Sequence, residues 1–353
     1  MKVIYLTDIH DALKELRVLL TQTEADLYFV SGDILYKAFY DEEKIYQFVC
    51  LQEEFYSIVK DLEEYFTPMD LATDILRFPA RYKKYNPKGE LEHKARTYRR
   101  LFEIATRTMK EKYELIEELI EKYSHAPALV LPGNYDLDLR YTALQERDMH
   151  HRHRHINGFE IAGYGGAPIA TSGIPEKLVV VYHEVKENGA FYSEPQAFFE
   201  EVRPDIILLH NPAWGFFDKI PGIGHVGGIG SRNYLDDFSP ALVLSGHVHE
   251  DYGVACSRGT VYLNPSNFGG VDSPAGWQSG GAFAEIYFEN RQVSAVHFRR
   301  LMESKTLTLL KVRLDGKEWR LLEPIPAECK SHCHLDLNML VRDAHGNPWE
   351  QLL

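Results

Sequence analysis

Cysteine is scarce in this 353-residue chain. The four present, Cys50, Cys256, Cys329 and Cys333, are too few to staple a fold of this length with disulfides. Long apolar runs are missing too: no stretch approaches the roughly 20 residues that span a bilayer. The opening "MKVIYLTDIH" runs straight into Asp8 and His10 with no small-residue cleavage site, so it reads as a first strand and not as a signal peptide. There is no long low-complexity tract and no internal repeat, while Gly (25) and Pro (17) stand at ordinary usage. Positive charge is in deficit, and a net charge of −13 argues against a surface coated for general duplex binding, though not against a local basic patch. With 44% hydrophobic residues the chain has core enough for one large domain or two smaller ones. A cytoplasmic protein with no membrane partner is the expectation.

What is present is a series of short apolar runs closed by polar residues or glycine. They include "KVIYLTDIH", "DLYFVSGDI", "PALVLPGNYD", "EIAGYGG", "PDIILLHNP", "PALVLSGHVHE" and "GTVYLNPSN". Their length and β-branched content predict strands, and the unbroken hydrophobic ones predict strands covered on both faces. Between the first two, "ALKELRVLLTQTEA" has helical spacing, giving a β-α-β opening and parallel strands. Residues 37–125 differ: "EEKIYQFVCLQEEFYSIVKDLEEYF" and "RLFEIATRTMKEKYELIEELIEKY" repeat apolar residues at helical period, with Pro68, Pro79 and Pro87 between them. They read as a helical insertion between two strands. From about residue 302 a β-rich extension follows as a separate tail, with hairpin alternation around Asp315-Gly316.

The ends of the strands repeat one kind of chemistry. Asp8 and His10 follow the first run, Asp33 the second, Asn134 the third; His210, then His247 and His249, follow later ones. Polar residues at the C-terminal ends of α/β strands are where such folds build sites. The seven offer oxygens and imidazoles with no thiolate, which suits Mn, Fe, Zn or Co bound by mixed ligands. Seven donors are too many for one such ion and about right for two sharing a carboxylate, the arrangement that clamps a phosphoryl group.

D-x-H at 8–10, G-D at 32–33, G-N at 133–134, His210 and G-H-x-H at 246–249, with the Asn264-Pro265 turn, resemble the calcineurin-like metallophosphoesterase superfamily. The resemblance covers roughly residues 1–36 and 126–300. It implies an α/β (α+β) fold, a four-layer αββα sandwich of two packed mixed β-sheets. The core is then 1–36 and 126–301, the helical insertion 37–125, and the C-terminal extension 302–353. It further implies Asp8, His10 and His249 as ligands of one divalent ion, Asn134, His210 and His247 as ligands of a second, and Asp33 as the carboxylate they share. The implied activity is hydrolysis of a phosphate ester, a phosphodiester or nucleotide being favoured, by attack of metal-bound hydroxide. Asp33, Asn134, Tyr135 and His210 are then the catalytic set. A phosphomonoesterase or protein phosphatase, and a non-catalytic metal-binding scaffold on the same fold, are the alternatives.

One position departs from the pattern. Where the family places a histidine after the asparagine, this chain has Tyr135, followed by Asp136. A phenol with an ordinary pKa near 10 stays protonated and donates a hydrogen bond, but is a weaker proton donor than an imidazolium. Three readings stand: Tyr135 donates to the leaving group; His225 or His183 supplies the proton; or Tyr135 only packs. Elsewhere, residues 77–112 hold twelve Lys/Arg against four Glu, interleaved with Tyr82, Tyr85, Tyr98 and Phe102. Single-stranded nucleic acid or a nucleotide drawn to such a cap is one reading, and a solvated helical face docking on the core, or on a second copy as a homo-oligomer, is the other. "HHRHRH" (150–155) reads as a solvated loop, "CKSHCH" (329–334) as structural, and "GIGHVGGIGS" (222–231) as a flexible rim.

Overall fold

The computed structural model describes residues 1–62, 67–169, 171–273, 276–316, 318–323, 335–343 and 347–348. "CKSHCH" lies outside these. The chain opens with β1 (Lys2–Thr7), α1 (Leu13–Gln22) and β2 (Leu27–Ser31), the expected β-α-β start. Helices α2 (Glu42–Leu62), α3 (Pro68–Arg77) and α4 (Leu91–Tyr123) follow before the chain returns as β3 (Ala128–Leu131). Next come the hairpins β4 (Arg152–Ile156) with β5 (Phe159–Tyr164) and β6 (Glu184–Glu187) with β7 (Ala190–Ser193), then α5 (Glu194–Val202) and β8 (Ile206–Leu209). A ribbon of β9 (Lys219–Ile220) and β10 (Gly224–His225) leads to α6 (Ile229–Asp237) and β11 (Leu242–Leu244). After β12 (Gly253–Ser257), β13 (Thr260–Asn264) and a ribbon of β14 (Val271–Ser273) and β15 (Gly276–Gln278), four long strands follow. These are β16 (Ala282–Glu289), β17 (Gln292–Met302), β18 (Lys305–Asp315) and β19 (Glu318–Glu323), with β20 (Val341–Arg342) last.

Two seven-stranded mixed sheets result, ordered β19-β18-β17-β16-β1-β2-β3 and β20-β12-β13-β11-β8-β5-β4. The two-residue period of the strands sorts their side chains between layers. On β1, Val3 and Tyr5 face inward to a core shared with Ile206, Leu208, Leu242 and Leu263 of the second sheet. Ile4 and Leu6 face outward to Leu16, Tyr113 and Ile116 on the helices. The second sheet's outer face packs on α5 and α6 through Ile207, Val243, Phe199 and Tyr234. Helices, sheet, sheet, helices are the four layers of an αββα sandwich. Because both faces of the inner strands are covered, β2, β3 and β8 are continuous hydrophobic runs.

Residues after 302, set apart as a tail in the sequence, are continuous with the core. β18 and β19 extend the first sheet and β20 pairs with β12 of the second, because Leu309, Leu310, Val312 and Trp319 are inward-facing core residues. The "HHRHRH" segment is also corrected. Arg152 to Ile156 form β4, antiparallel to β5, with alternating half-buried and exposed residues. An edge strand with one face in water tolerates charged and polar side chains, which makes it read as a loop. In α4 the buried positions recur every three or four residues, from Leu91 through Tyr98, Ala105 and Met109 to Ile116 and Ile120, so its apolar stripe packs on α1, α2 and α3 and joins the core over the first sheet's outer face. Among the described residues no helix is long and apolar enough to cross a membrane.

Candidate metal centre

The first three parallel strands of one sheet and two parallel strands of the other end at the same place. Asp8 and His10 follow β1, Asp33 follows β2, Asn134 follows β3, His210 follows β8, and His247 and His249 follow β11. The parallel register continues past the strands themselves: the Asp8 amide donates to Gly32 O (3.1 Å), His10 N to Asp33 O (3.0 Å) and Gly246 N to His210 O (3.2 Å). Asp8, His10, Asp33 and His247 all have left-handed backbone, with φ between 41° and 65°. Such conformations cost about 1–3 kcal/mol each and persist only where surrounding structure imposes them. Two glycines make room for the convergence. A Cβ on Gly32, itself at φ +71°, would run into the His210 ring, and one on Gly246 would meet Thr7 and Asp8.

Two groups of donors form. In one, Asp8, His10 and His249 present atoms within 4.8 Å of each other, and in the other Asp33, His210 and His247 do the same. His249 Nε2 stands 3.1 Å from Asp8 Oδ1 and 3.3 Å from His10 Nε2. His210 Nε2 stands 3.0 Å from Asn134 Oδ1 and 3.4 Å from Asp33 Oδ1, so the amide oxygen joins the second group. Asn134 is oriented by its Nδ2, which donates to Thr171 Oγ1 at 2.9 Å. Donors bound to one ion at about 2.0–2.2 Å stand roughly 3–3.6 Å apart, and these spacings fall in that range. Two imidazole nitrogens facing each other, as His10 Nε2 and His249 Nε2 do, satisfy one another poorly. A cation between each set of donors resolves this, so the residues fit divalent metal.

The charge states favour it as well. Burial pulls His10 and His210 down to about 3 and His247 to about 4, so each is the neutral imidazole a metal requires. Burial pushes Asp8 up, but the His249 imidazole, with His210 and His10 behind it, holds the carboxyl below its usual range. Asp33 is raised well above its usual value, first by burial and then by Asp8 and Asp136, so its ionised form lacks a cation to balance it. Only two of the seven donors are carboxylates.

Around them stand the Asn264-Pro265 turn and Tyr135, together with Ser266 and Tyr36, which the strand-end pattern did not bring out. Asn264 Nδ2 donates to Val248 O and Asp251 O, both at 2.9 Å, and Ser266 Oγ to His249 O at 3.0 Å; the Asn-Pro turn therefore holds the loop of His247 and His249. Tyr36 lies edge-on to His10 with ring centroids 5.3 Å apart, and Tyr135 lies 6.2 Å beyond Tyr36. The Tyr135 amide donates to Asp33 Oδ1 at 2.9 Å, and burial, then Asp33, pushes its phenol above the usual value. Asp136 orients no histidine; its carboxylate accepts from the amides of Gly133, Ile34 and Leu35. His225 is bound to Asp218 at 2.6 Å on the β9–β10 ribbon. His183 lines a cavity of about 610 Å³ with His150, His151, Arg140 and Glu194, and none of the seven donors reaches its wall.

An αββα sandwich here gathers imidazoles, carboxylates and an amide at the ends of parallel strands, a donor set suited to divalent cations. The family model described as calcineurin-like phosphoesterase matches residues 103–251, a span that holds Asn134, His210, His247 and His249. Over 64 residues, 18% of this chain, it is 38% identical to metallophosphoesterase domain-containing protein 1 of Homo sapiens and to that of Mus musculus. The match spans 20% of those curated relatives. Similar solved structures include TT1561 of Thermus thermophilus, at 13% identity and a TM-score of 0.38 over 87% of this chain and 97% of that one. Wild-type Vps29 of Entamoeba histolytica complexed with zinc is another, at 10% identity and 0.37 over 89% and 100%. At such scores the likeness is loose.

Proposed function

We propose that this protein hydrolyses a phosphate ester at a centre of two divalent ions, held by Asp8, His10 and His249 on one side and by Asn134, His210 and His247 on the other, with Asp33 between. The observation that carries the reading is the convergence of all seven donors at distances suited to bound cations. When bound, such ions neutralise charge on phosphoryl oxygens and acidify water at neutral pH. The chain's own residues do the rest. Two carboxylates against four imidazoles and an amide leave the loaded site positive enough for an anionic ester. Tyr135, its proton retained by burial, donates a hydrogen bond to the leaving oxygen. Tyr36 and Tyr135 form a wall beside the donors that takes a planar organic group, which supports an aryl ester or a nucleotide over a phosphoprotein.

A metal-binding scaffold on the same fold is the second reading, favoured by the phenol that stands where the family has an imidazole. One assay separates the two. Metal content is measured on purified protein, with hydrolysis of bis(p-nitrophenyl) and mono-p-nitrophenyl phosphate in the presence and absence of Mn²⁺. The enzyme reading expects bound metal and turnover that Asp33→Ala abolishes; bound metal without turnover leaves the scaffold. The ratio of diester to monoester rates tests the substrate class.

A further inference from the structure

Two adjacent residues of α4 reach from the helical layer into the loops that carry the metal donors. Successive helical side chains diverge by about 100°, so neighbours can address different loops. Lys112 Nζ donates to Asp11 Oδ1 (2.9 Å), to Asp11 Oδ2 (3.0 Å) and to Lys37 O (2.6 Å), which uses all three of its protons. Asp11 immediately follows His10 and has left-handed backbone (φ 65°). Its Oδ2 also accepts from the amides of Tyr36 (3.2 Å) and Lys37 (3.1 Å), so one carboxylate joins the segment after His10 to the segment after Asp33.

Tyr113 serves the other side. Its hydroxyl donates to Asp136 Oδ1 (2.8 Å) and accepts from the amide of Leu137 (3.0 Å). Asp136 in turn accepts from Gly133 N (2.8 Å), Ile34 N (3.0 Å) and Leu35 N (3.2 Å). Asp136 and Tyr113 are fully buried, and the Lys112 side chain is 6% exposed. An ammonium at the core-facing side of a helix is a poor source of stability, since a hydrocarbon of similar size fills the place as well or better. What Lys112 and Tyr113 do that a hydrocarbon cannot is fix the loops of His10, Asp33 and Asn134 relative to one another.

We propose that α4 is a positioning element of the metal centre, acting through Lys112 on the His10 loop and through Tyr113 on the Asp33 and Asn134 loops. The helical insertion is thereby part of how the site is built. Lys112 and Tyr113 touch none of the seven donors; they act on the loops that carry them. This rests on the metal-centre reading above, and the test separates the two.

Metal-stripped wild type, Tyr113→Phe, Lys112→Met and Tyr98→Phe are titrated with Mn²⁺ and with Co²⁺, the latter followed by its visible spectrum, alongside far-UV circular dichroism and thermal melting of the metal-free forms. Tyr98 is the control: it lies on the same helix and its hydroxyl donates to Glu176 at 2.7 Å, away from the donor loops. Tyr113→Phe and Lys112→Met are expected to keep the wild-type circular dichroism while raising the dissociation constant about 10–100-fold, the usual cost of removing a group that orients metal ligands, and to alter the Co²⁺ spectrum. Tyr98→Phe is expected to bind as wild type does. Wild-type affinity and spectrum in both α4 variants overturn the proposal while leaving the metal centre standing, and equal weakening by Tyr98→Phe reduces it to general stability. A wild type that binds neither ion overturns the metal centre and the positioning role together.

Discussion

Tyr135 keeps the backbone role of its position while changing the side-chain chemistry. Its amide holds Asp33 Oδ1, and any residue but proline offers the same donor. The substitution Tyr135→His is therefore expected to leave metal affinity within about two-fold and to change the leaving-group dependence. General acid help contributes typically ~10²–10⁴-fold, and it matters most when the departing oxygen is basic. Alkyl phosphodiesters are expected to gain about ten-fold or more in kcat and p-nitrophenyl esters little. Equal rate changes for both series contradict a proton-donating position. At this scale the convergence of the seven candidate donors was legible in the sequence because each follows a hydrophobic run. Lys112 and Tyr113 were not. Inside a charged amphipathic helix one reads as part of the polar face and the other as part of the apolar stripe, and nothing local says which loop lies opposite.

At the scale of elements, the insertion's stability comes from aromatic packing among its helices. Phe48 of α2 is fully buried. Its ring stacks on Tyr98 of α4 at 5.1 Å with the planes 6° apart, and meets Phe39 edge-on at 5.4 Å. Phe48→Ala is expected to cost about 3–5 kcal/mol, the usual range for emptying a buried aromatic site, measured as the loss of unfolding free energy in urea. A cost under about 1 kcal/mol would mean that the helices do not share this core. Helical period over 37–125 showed that helices were there; their docking face was left open between this core and another subunit, because an apolar stripe does not name its partner. β4 was lost for the opposite reason. Its exposed, charged alternation carries no apolar signal, and only pairing with β5 makes it a strand.

Across the molecule, one carboxylate ties together strands from both ends of the chain. Glu285 of β16 accepts from Arg299 (3.0 and 2.8 Å) on β17 and pairs with Lys2 (3.1 Å) on β1. Burial pushes its pKa up, but the nearby His297 imidazole (3.4 Å), the bonds from Arg299 and the charges of Arg299 and Lys2 outweigh it and hold the group well below its ordinary 4.5. A carboxyl depressed on folding contributes stability above its unfolded pKa and loses it as pH falls through the folded one. Glu285→Gln is thus expected to destabilise at pH 7 and to differ progressively less from wild type as pH drops below about 4.5, read from melting temperatures across a pH series. A gap that widens on acidification has the wrong sign for this network. The β-hairpin around Asp315-Gly316 was visible in the sequence as alternation, whereas its place in the first sheet was not, since strand pairing is set by partners far away along the chain.

That distance has a consequence for how the protein is made. Lys2 pairs with Tyr287, and Asp8 meets His249 across 241 positions. At synthesis rates of roughly 5–20 residues per second, β1 waits on the order of 15–60 s for the strand that completes its ladder. In that interval α1 to α4 can cover its outer face, but at first Val3, Tyr5, Leu27 and Phe29 have no second sheet to face. The nascent chain therefore carries an open β1 edge until its last third emerges, while the inner apolar face of β1 and β2 waits for β5 and β8 of the second sheet.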